Sequence, residues 1–126
     1  MIAYLDTHIV VHLSMGKSNR ISTEALGMIK RADLLLSPMA FFELEILYEL
    51  TRTRRPARDL FEKVAHETGL RLCDLPFATV ASAALTEGWT RDPFDRIIVA
   101  QAKANGFAWL ITSDSEIPKH YPRAVW

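Results

Sequence analysis

The 126-residue chain contains a single cysteine, Cys73, which excludes an internal disulfide and a cysteine-built zinc site and suits a reducing compartment. No apolar run approaches the ~20 residues needed to span a bilayer, so no membrane role is expected. The N-terminal stretch MIAYLDTHIVVHLS carries Asp6 and no basic head, unlike a secretory signal. The expectation is a soluble, cytoplasmic protein. There is no excess charge of either sign: 15 Lys and Arg stand against 15 Asp and Glu. A nucleic-acid binder usually carries a basic surplus, so only the distribution of charge can argue for one. Several catalytic signatures are absent as well. The chain has no GxxxxGK[ST] loop, no GxGxxG after a strand, no GxSxG elbow and no HExxH pair.

What is present is one domain's worth of globular composition, 49% hydrophobic and 24% charged, with no repeat or linker; residues 1–126 read as a single domain. Short apolar runs alternate with helical patterns. Strands are expected at Ile2–Leu5, Leu34–Ser37, Leu70–Leu75 and Trp109–Thr112, with a fifth at Ala124–Trp126 on an edge. Helices are expected over Thr7–Leu13, Ile21–Arg31, Pro38–Arg52, Ala57–Thr68 and Phe77–Glu87, and from Asp92-Pro93 to Asn105-Gly106; Met15–Asn19 reads as a loop. Alternation of this kind indicates an α/β fold with a short, mostly parallel sheet covered on both faces. The functional crevice of such a sheet lies beyond the carboxyl ends of its strands.

Four acids fall where that rule places a site. Asp6 ends the first strand and Asp114 follows the fourth. In the helix from Pro38, the residues Met39, Phe42, Ile46, Leu47 and Leu50 form an apolar stripe at ~100° per residue, with Glu43 in its middle and Glu45, Glu49 and Arg52 opposite. A carboxylate on a buried face is costly unless paired or bound to a cation; a structural salt bridge is its ordinary use. Asp95 shares a stripe with Ile98, Val99 and Ala102, although Asp92, Pro93 and Asp95 also resemble a capping box. Asp6 and Asp114 could each cap a turn. Convergence of four acids on one crevice is what favours a metal site. Mg²⁺ or Mn²⁺ takes oxygen ligands, and such an ion can orient water, lower its pKa and offset charge developing on a phosphodiester. The chemistry suggested is metal-dependent hydrolysis of a nucleic-acid backbone. His8 and His12 have metal-ligand spacing but no third partner, so a surface or core pair is the plainer reading. Trp89, Trp109 and Trp126 read as core and interface fillers.

The segments Leu5-Asp6-Thr7-His8, Ser37-Pro38 leading to Glu43, Arg91-Asp92-Pro93-Phe94-Asp95-Arg96 running into Ile97–Ala102, and Leu110–Asp114 together resemble the PIN domain family. Within it, the chain resembles the VapC-type toxins of toxin–antitoxin operons over essentially its whole length. The resemblance implies a three-layer α/β/α fold and Mg²⁺- or Mn²⁺-dependent endoribonuclease activity on RNA. It further implies inhibition by a VapB-like antitoxin, and a homodimer. Asp6, Glu43 and Asp95 match the family's core acids and Asp114 its fourth. Asp92, Thr7 and Ser113 would support them from behind, Asp92 through a water if it meets the metal. Arg96 is a candidate phosphate contact, and Arg52, Arg54 and Arg55, with Arg58, are candidates to grip RNA or an acidic antitoxin tail. Two rivals compete. A haloacid-dehalogenase-type phosphatase would want an acid two residues after Asp6, where this chain has His8. A catalytically silent PIN domain, acting as an antitoxin-binding or scaffold module, would have no need of the acids.

Overall fold

The computed structural model of the chain describes residues 1–126. Strands β1 (Ile2–Leu5), β2 (Asp33–Leu36), β3 (Arg71–Leu72), β4 (Trp109–Ile111) and β5 (Ala124–Val125) form one sheet in the order β3-β2-β1-β4-β5. Every adjacent pair is parallel, with Tyr4 opposite both Leu35 and Leu110. Ala3, Tyr4 and Leu5 are successive residues and all fully buried. Successive strand residues point to opposite faces, so helices must cover both sides of the central strand. Around it lie α1 (Thr7–Ser14), α2 (Thr23–Arg31), α3 (Pro38–Glu49), α4 (Ala57–Thr68), α5 (Phe77–Ala84), α6 (Pro93–Ala104) and α7 (Ile117–His120). The result is the expected α/β/α arrangement, with a continuous core of 28 buried residues. No helix is long and apolar enough to cross a membrane.

Local chemistry explains most of the boundaries. Ser22 accepts from the Ala25 N–H at 3.1 Å and Ser37 from Met39 N–H at 3.1 Å, with Pro38 pre-set for the first turn. Gly69 ends α4 at φ 78°, a left-handed conformation that favours glycine. The N-terminus of α4 follows Pro56, which has no capping side chain; Glu45 of α3 reaches across and accepts from Ala57 N–H at 3.0 Å.

The structure departs from the sequence reading at several places. Helix α3 stops at Glu49 rather than Arg52, because Thr51 turns left-handed at φ 58° and Arg52 N–H bonds back to Leu47 C=O at 2.8 Å. This is a Schellman closure with threonine where glycine usually sits. Helix α5 ends at Ala84, not Glu87, and β3 is two residues long because its partner β2 ends at Leu36, where Ser37 starts α3. The expected loop after α1 contains a 3₁₀ turn at Ser18–Arg20, and α7 has no counterpart among the expected helices. The apolar stripe assigned to α3 is also displaced. Its buried residues are Ala40, Leu44 and Leu47, whereas Phe42 and Leu50 are exposed and Glu43 is only half-buried. Apolar residues encircle most of this helix, so periodicity alone cannot say which arc faces the core.

Candidate active site

At the carboxyl end of the sheet, the chain passes directly from strands into helix N-termini. Asp6 follows β1 and caps α1; Asp92 caps α6; Asp114 lies beyond β4, before α7. Glu43 comes from the second turn of α3 and Asp95 from the first turn of α6. These elements bound a cleft of about 280 Å³ lined by Asp6, His8, Glu43, Asp92, Asp95, Ser113 and Asp114. Not one lining residue is hydrophobic, and no lysine or arginine is among them. All four candidate acids are therefore gathered in one place, with Asp92 and Ser113 beside them.

The carboxylates are held to different degrees. Asp6 is buried, and both its oxygens accept hydrogen bonds: Oδ1 from Thr7 N–H at 2.8 Å, Oδ2 from the Thr112 hydroxyl at 2.6 Å. The same Thr112 oxygen accepts from Asp114 N–H at 3.0 Å, tying the two acids together. The Thr7 hydroxyl, fully buried, donates to Glu43 Oε1. Asp92 Oδ1 accepts from Phe94 N–H at 2.9 Å, and Asp114 Oδ1 from Glu116 N–H at 2.7 Å and Ile117 N–H at 3.1 Å. Asp95 makes no hydrogen bond and no ion pair with any other side chain. The capping-box role would need Asp95 to accept from Asp92 N–H; that group instead donates to Thr90 Oγ1 at 3.1 Å. Glu43 likewise meets no cation, so the salt-bridge alternative is not realised.

Electrostatics follow from this geometry. Burial raises the Asp6 carboxyl, against the opposing bonds from Thr112 and Thr7 and the nearby His8. Burial also raises Glu43, opposed by the Thr7 hydroxyl and reinforced by Asp6. Asp95 is pushed from 3.8 to about 7 by burial first, then by the charges of Asp6, Asp92, Asp114 and Glu43, with no group acting against them. Like charges held together without a counterion are the signature of a site awaiting a cation. The carboxylates do not close into a ready-made cage of three ligands. Mg²⁺ does not require one: it binds through one or two carboxylates and keeps waters that substrate phosphates replace. Five carboxylates and a hydroxyl suit a hard divalent ion of this kind, and a lone imidazole, His8, is too little for a thiolate- or imidazole-seeking one. The residues present therefore fit the metal.

Two residues of the site escape the sequence reading. His8 reads there as half of a histidine pair, yet it is exposed in the cleft; its place two residues after Asp6 is the available signal. Thr112 links Asp6 to Asp114, and only its position at the end of β4 hints at this. Arg96 needs correction. Its guanidinium donates to Ala84 C=O at 2.9 Å, Thr90 C=O at 3.3 Å and Leu85 C=O at 3.5 Å, clasping the end of α5 to α6. Unpaired carbonyls at a helix C-terminus are a natural partner for arginine, and the side chain is not among those lining the cleft. Arg52, Arg54 and Arg55 lie elsewhere, around a cavity with Val11, Ser14 and Met15 at the far end of α1.

Comparison with known proteins places these features in context. The PIN domain family model matches residues 3–121. Ribonuclease VapC22 of Mycobacterium tuberculosis is 30% identical over 126 residues, covering 96% of this chain and 94% of that protein. Among solved structures, VapBC2 from Rickettsia felis bound to a promoter DNA fragment aligns with TM-score 0.62 and 18% identity, covering 99% of this chain and 96% of the other. A toxin–antitoxin complex from Klebsiella pneumoniae aligns at 0.61 and 16%, covering 98% and 96%. DNA-bound VapBC from Salmonella typhimurium aligns at 0.58 and 17%, covering 98% and 95%.

Proposed function

The chain belongs to the PIN domain family, and on that premise we propose that it is the VapC-type toxin of a toxin–antitoxin pair, a metal-dependent endoribonuclease hydrolysing RNA phosphodiester bonds. A single PIN domain over residues 1–126, working in the cytoplasm, would carry the activity. The observation that bears most weight is the cleft of five acids with no cation among them, Asp95 raised to about 7 at its centre. Asp6, Glu43 and Asp95 would hold Mg²⁺ or Mn²⁺, with Asp114 as the fourth acid and Asp92 beside them. The ion supplies a charge that orients water, lowers its pKa and offsets charge on the phosphodiester. Thr7 holds the Glu43 and Asp6 carboxylates, and Thr112 holds the Asp6 carboxylate while anchoring the backbone of Asp114. A catalytically silent scaffold would have no use for so costly a cluster.

Partners follow the same premise. A VapB-like antitoxin is supported by the relatives seen as VapBC complexes. A homodimer is supported by an apolar groove between α3, α5 and α6 in which Met39, Leu75, Val80 and Ile97 meet the exposed rings of Phe42 and Phe77. Arg52, Arg54 and Arg55 would contact RNA or an acidic antitoxin segment. The deciding experiment incubates purified, antitoxin-free protein with total cellular RNA in Mg²⁺, Mn²⁺ or EDTA, beside Asp6→Asn. Discrete metal-dependent fragments absent from the variant are expected. No cutting in any lane by folded protein would refute the enzymatic reading.

A further inference from the structure

A cleft walled by acids can accept a scissile phosphate only with a cation in place, and it repels the phosphates on either side. The flanking strand therefore needs a positive surface that begins at the cleft. One exists along α1. His8 lines the cleft and is exposed. His12 stands one turn further on the same face, about 6 Å along the axis. At the end of the helix Gly16 turns left-handed at φ 66°, and Lys17 N–H donates back to His12 C=O at 2.9 Å, which sets Lys17 against His12. The 3₁₀ turn Ser18–Arg20 then folds Arg20 back, its N–H bonded to Lys17 C=O at 3.0 Å. Burial and the neighbouring charges of Arg20, His8 and Lys17 hold the His12 pKa down. His12 is thus held toward its neutral form, in which a ring N–H can still donate to a phosphate, and the positive charge of the strip rests on Lys17 and Arg20.

Neither Lys17 nor Arg20 has an acidic partner; the ion pairs of the chain are Arg55–Asp59, Lys103–Glu87 and Lys119–Glu116. The ordinary employment for cations here is to offset the α1 C-terminus. Lys63 already holds that post, its Nζ donating to Ser14 C=O at 2.6 Å. We propose that the RNA backbone leaves the carboxylate cleft along the outer face of α1, with His8, His12, Lys17 and Arg20 facing successive phosphates. This rests on the ribonuclease reading above and adds the substrate's path. An acidic peptide would be drawn to the same cations, but it has no reason to start from a cleft of carboxylates, whereas a substrate strand must.

The test measures binding of a fluorescent 20-nucleotide oligoribonucleotide to Asp6→Asn protein in Mg²⁺ across a salt series, with cleavage by the parent assayed in parallel. Lys17→Glu/Arg20→Glu should weaken binding by about tenfold and flatten the log–log salt slope by about 1.4, the change expected when two single-strand phosphates go unneutralised. Lys30→Glu/Arg31→Glu, the same charge change at the end of α2 that leads into the amino end of β2, opposite the cleft, should leave both unchanged. Equal weakening by the two pairs, or none by the first while the parent binds, overturns the path but leaves the ribonuclease standing. A parent that neither binds nor cuts overturns the function and the path together. Preference for a polyglutamate peptide, lost in Lys17→Glu/Arg20→Glu, would reassign the strip to a protein partner.

Discussion

Replacing Asp95 by asparagine should abolish RNA cleavage and, in the absence of metal, make the protein more stable. Ionised Asp95 stands in a cleft where burial and four other acids raise its pKa from 3.8 to about 7. At ~1.4 kcal/mol per tenfold change in proton affinity, that is a ceiling of ~4 kcal/mol, which screening in a cleft open to water reduces to about 2 kcal/mol. The unfolded chain loses this proton near 3.8 and the folded chain near 7, so between those values the folded state binds more protons. Stability therefore falls as pH rises through that window and stays low above it. Asp6 and Glu43 are raised too and steepen the same decline. Thermal unfolding in EDTA at pH 8 should place Asp95→Asn roughly 6–10 °C above the parent; at pH 5, where folded Asp95 is protonated but the unfolded chain's is not, the gap should shrink to roughly 40% of that. Mg²⁺ should then reverse the order, since a ligand at 100 times its Kd contributes about 2.7 kcal/mol to the state that binds it. An Asp95→Asn protein less stable than the parent at pH 8 in EDTA would refute the reasoning and make Asp95 a structural residue.

Thr112→Val removes the bond to Asp6 Oδ2 and the acceptor for Asp114 N–H, so Mg²⁺ titrations of cleavage should show a metal requirement raised roughly 10–100-fold; Thr112→Ser should restore it. Arg96→Ala removes the guanidinium from the Ala84 and Leu85 carbonyls at the end of α5 and from the Thr90 carbonyl beyond it, and should cost about 1–3 kcal/mol in urea unfolding, with little change in activity per folded molecule at low temperature. A large loss of kcat without loss of stability would return Arg96 to the substrate. Thr51→Gly relieves a β-branched residue at φ 58° and should stabilise by about 1 kcal/mol in the same assay, with cleavage unchanged.

What is legible in the sequence follows from which forces are local. Short continuous apolar runs such as Ile2–Leu5 announce a strand buried on both faces, and Pro38, Gly69 and Asp92-Pro93 mark helix ends by backbone constraint alone. The acids are legible because the ends of parallel strands are also where α/β proteins place their sites. Orientation is not. The face of α3 is chosen by packing against α1, α4 and α6, and a helix bearing Met39, Phe41, Phe42, Leu44, Ile46 and Leu47 offers more than one apolar arc. Arg96 misleads for a related reason: two of the carbonyls it clasps lie at the end of α5, and nothing in its own segment reveals how that helix ends. Thr112 and His8 take their meaning from Asp6 and Glu43 respectively, neighbours far away along the chain.

The choice between cap and ligand, which the sequence poses for each aspartate, is a false one in the folded protein. A cap occupies one carboxylate oxygen. Asp92 and Asp114 each give Oδ1 to the start of a helix, and their other oxygen accepts nothing within the chain. Capping fixes the rotamer at almost no loss of ligating capacity, and the N–H groups supply partial positive charge to an anionic site. The helix N-termini of α1, α6 and α7 thus help to make a cluster of acids tolerable while no cation is present. Asp95 is the exception that gives the arrangement its purpose. It sits in the first turn of α6 but accepts none of the free N–H groups there, so neither donor nor cation holds it, and burial and like charge together carry its pKa to about 7. The strain of the site is concentrated on one carboxylate, and a divalent ion can relieve it while using that carboxylate as a ligand.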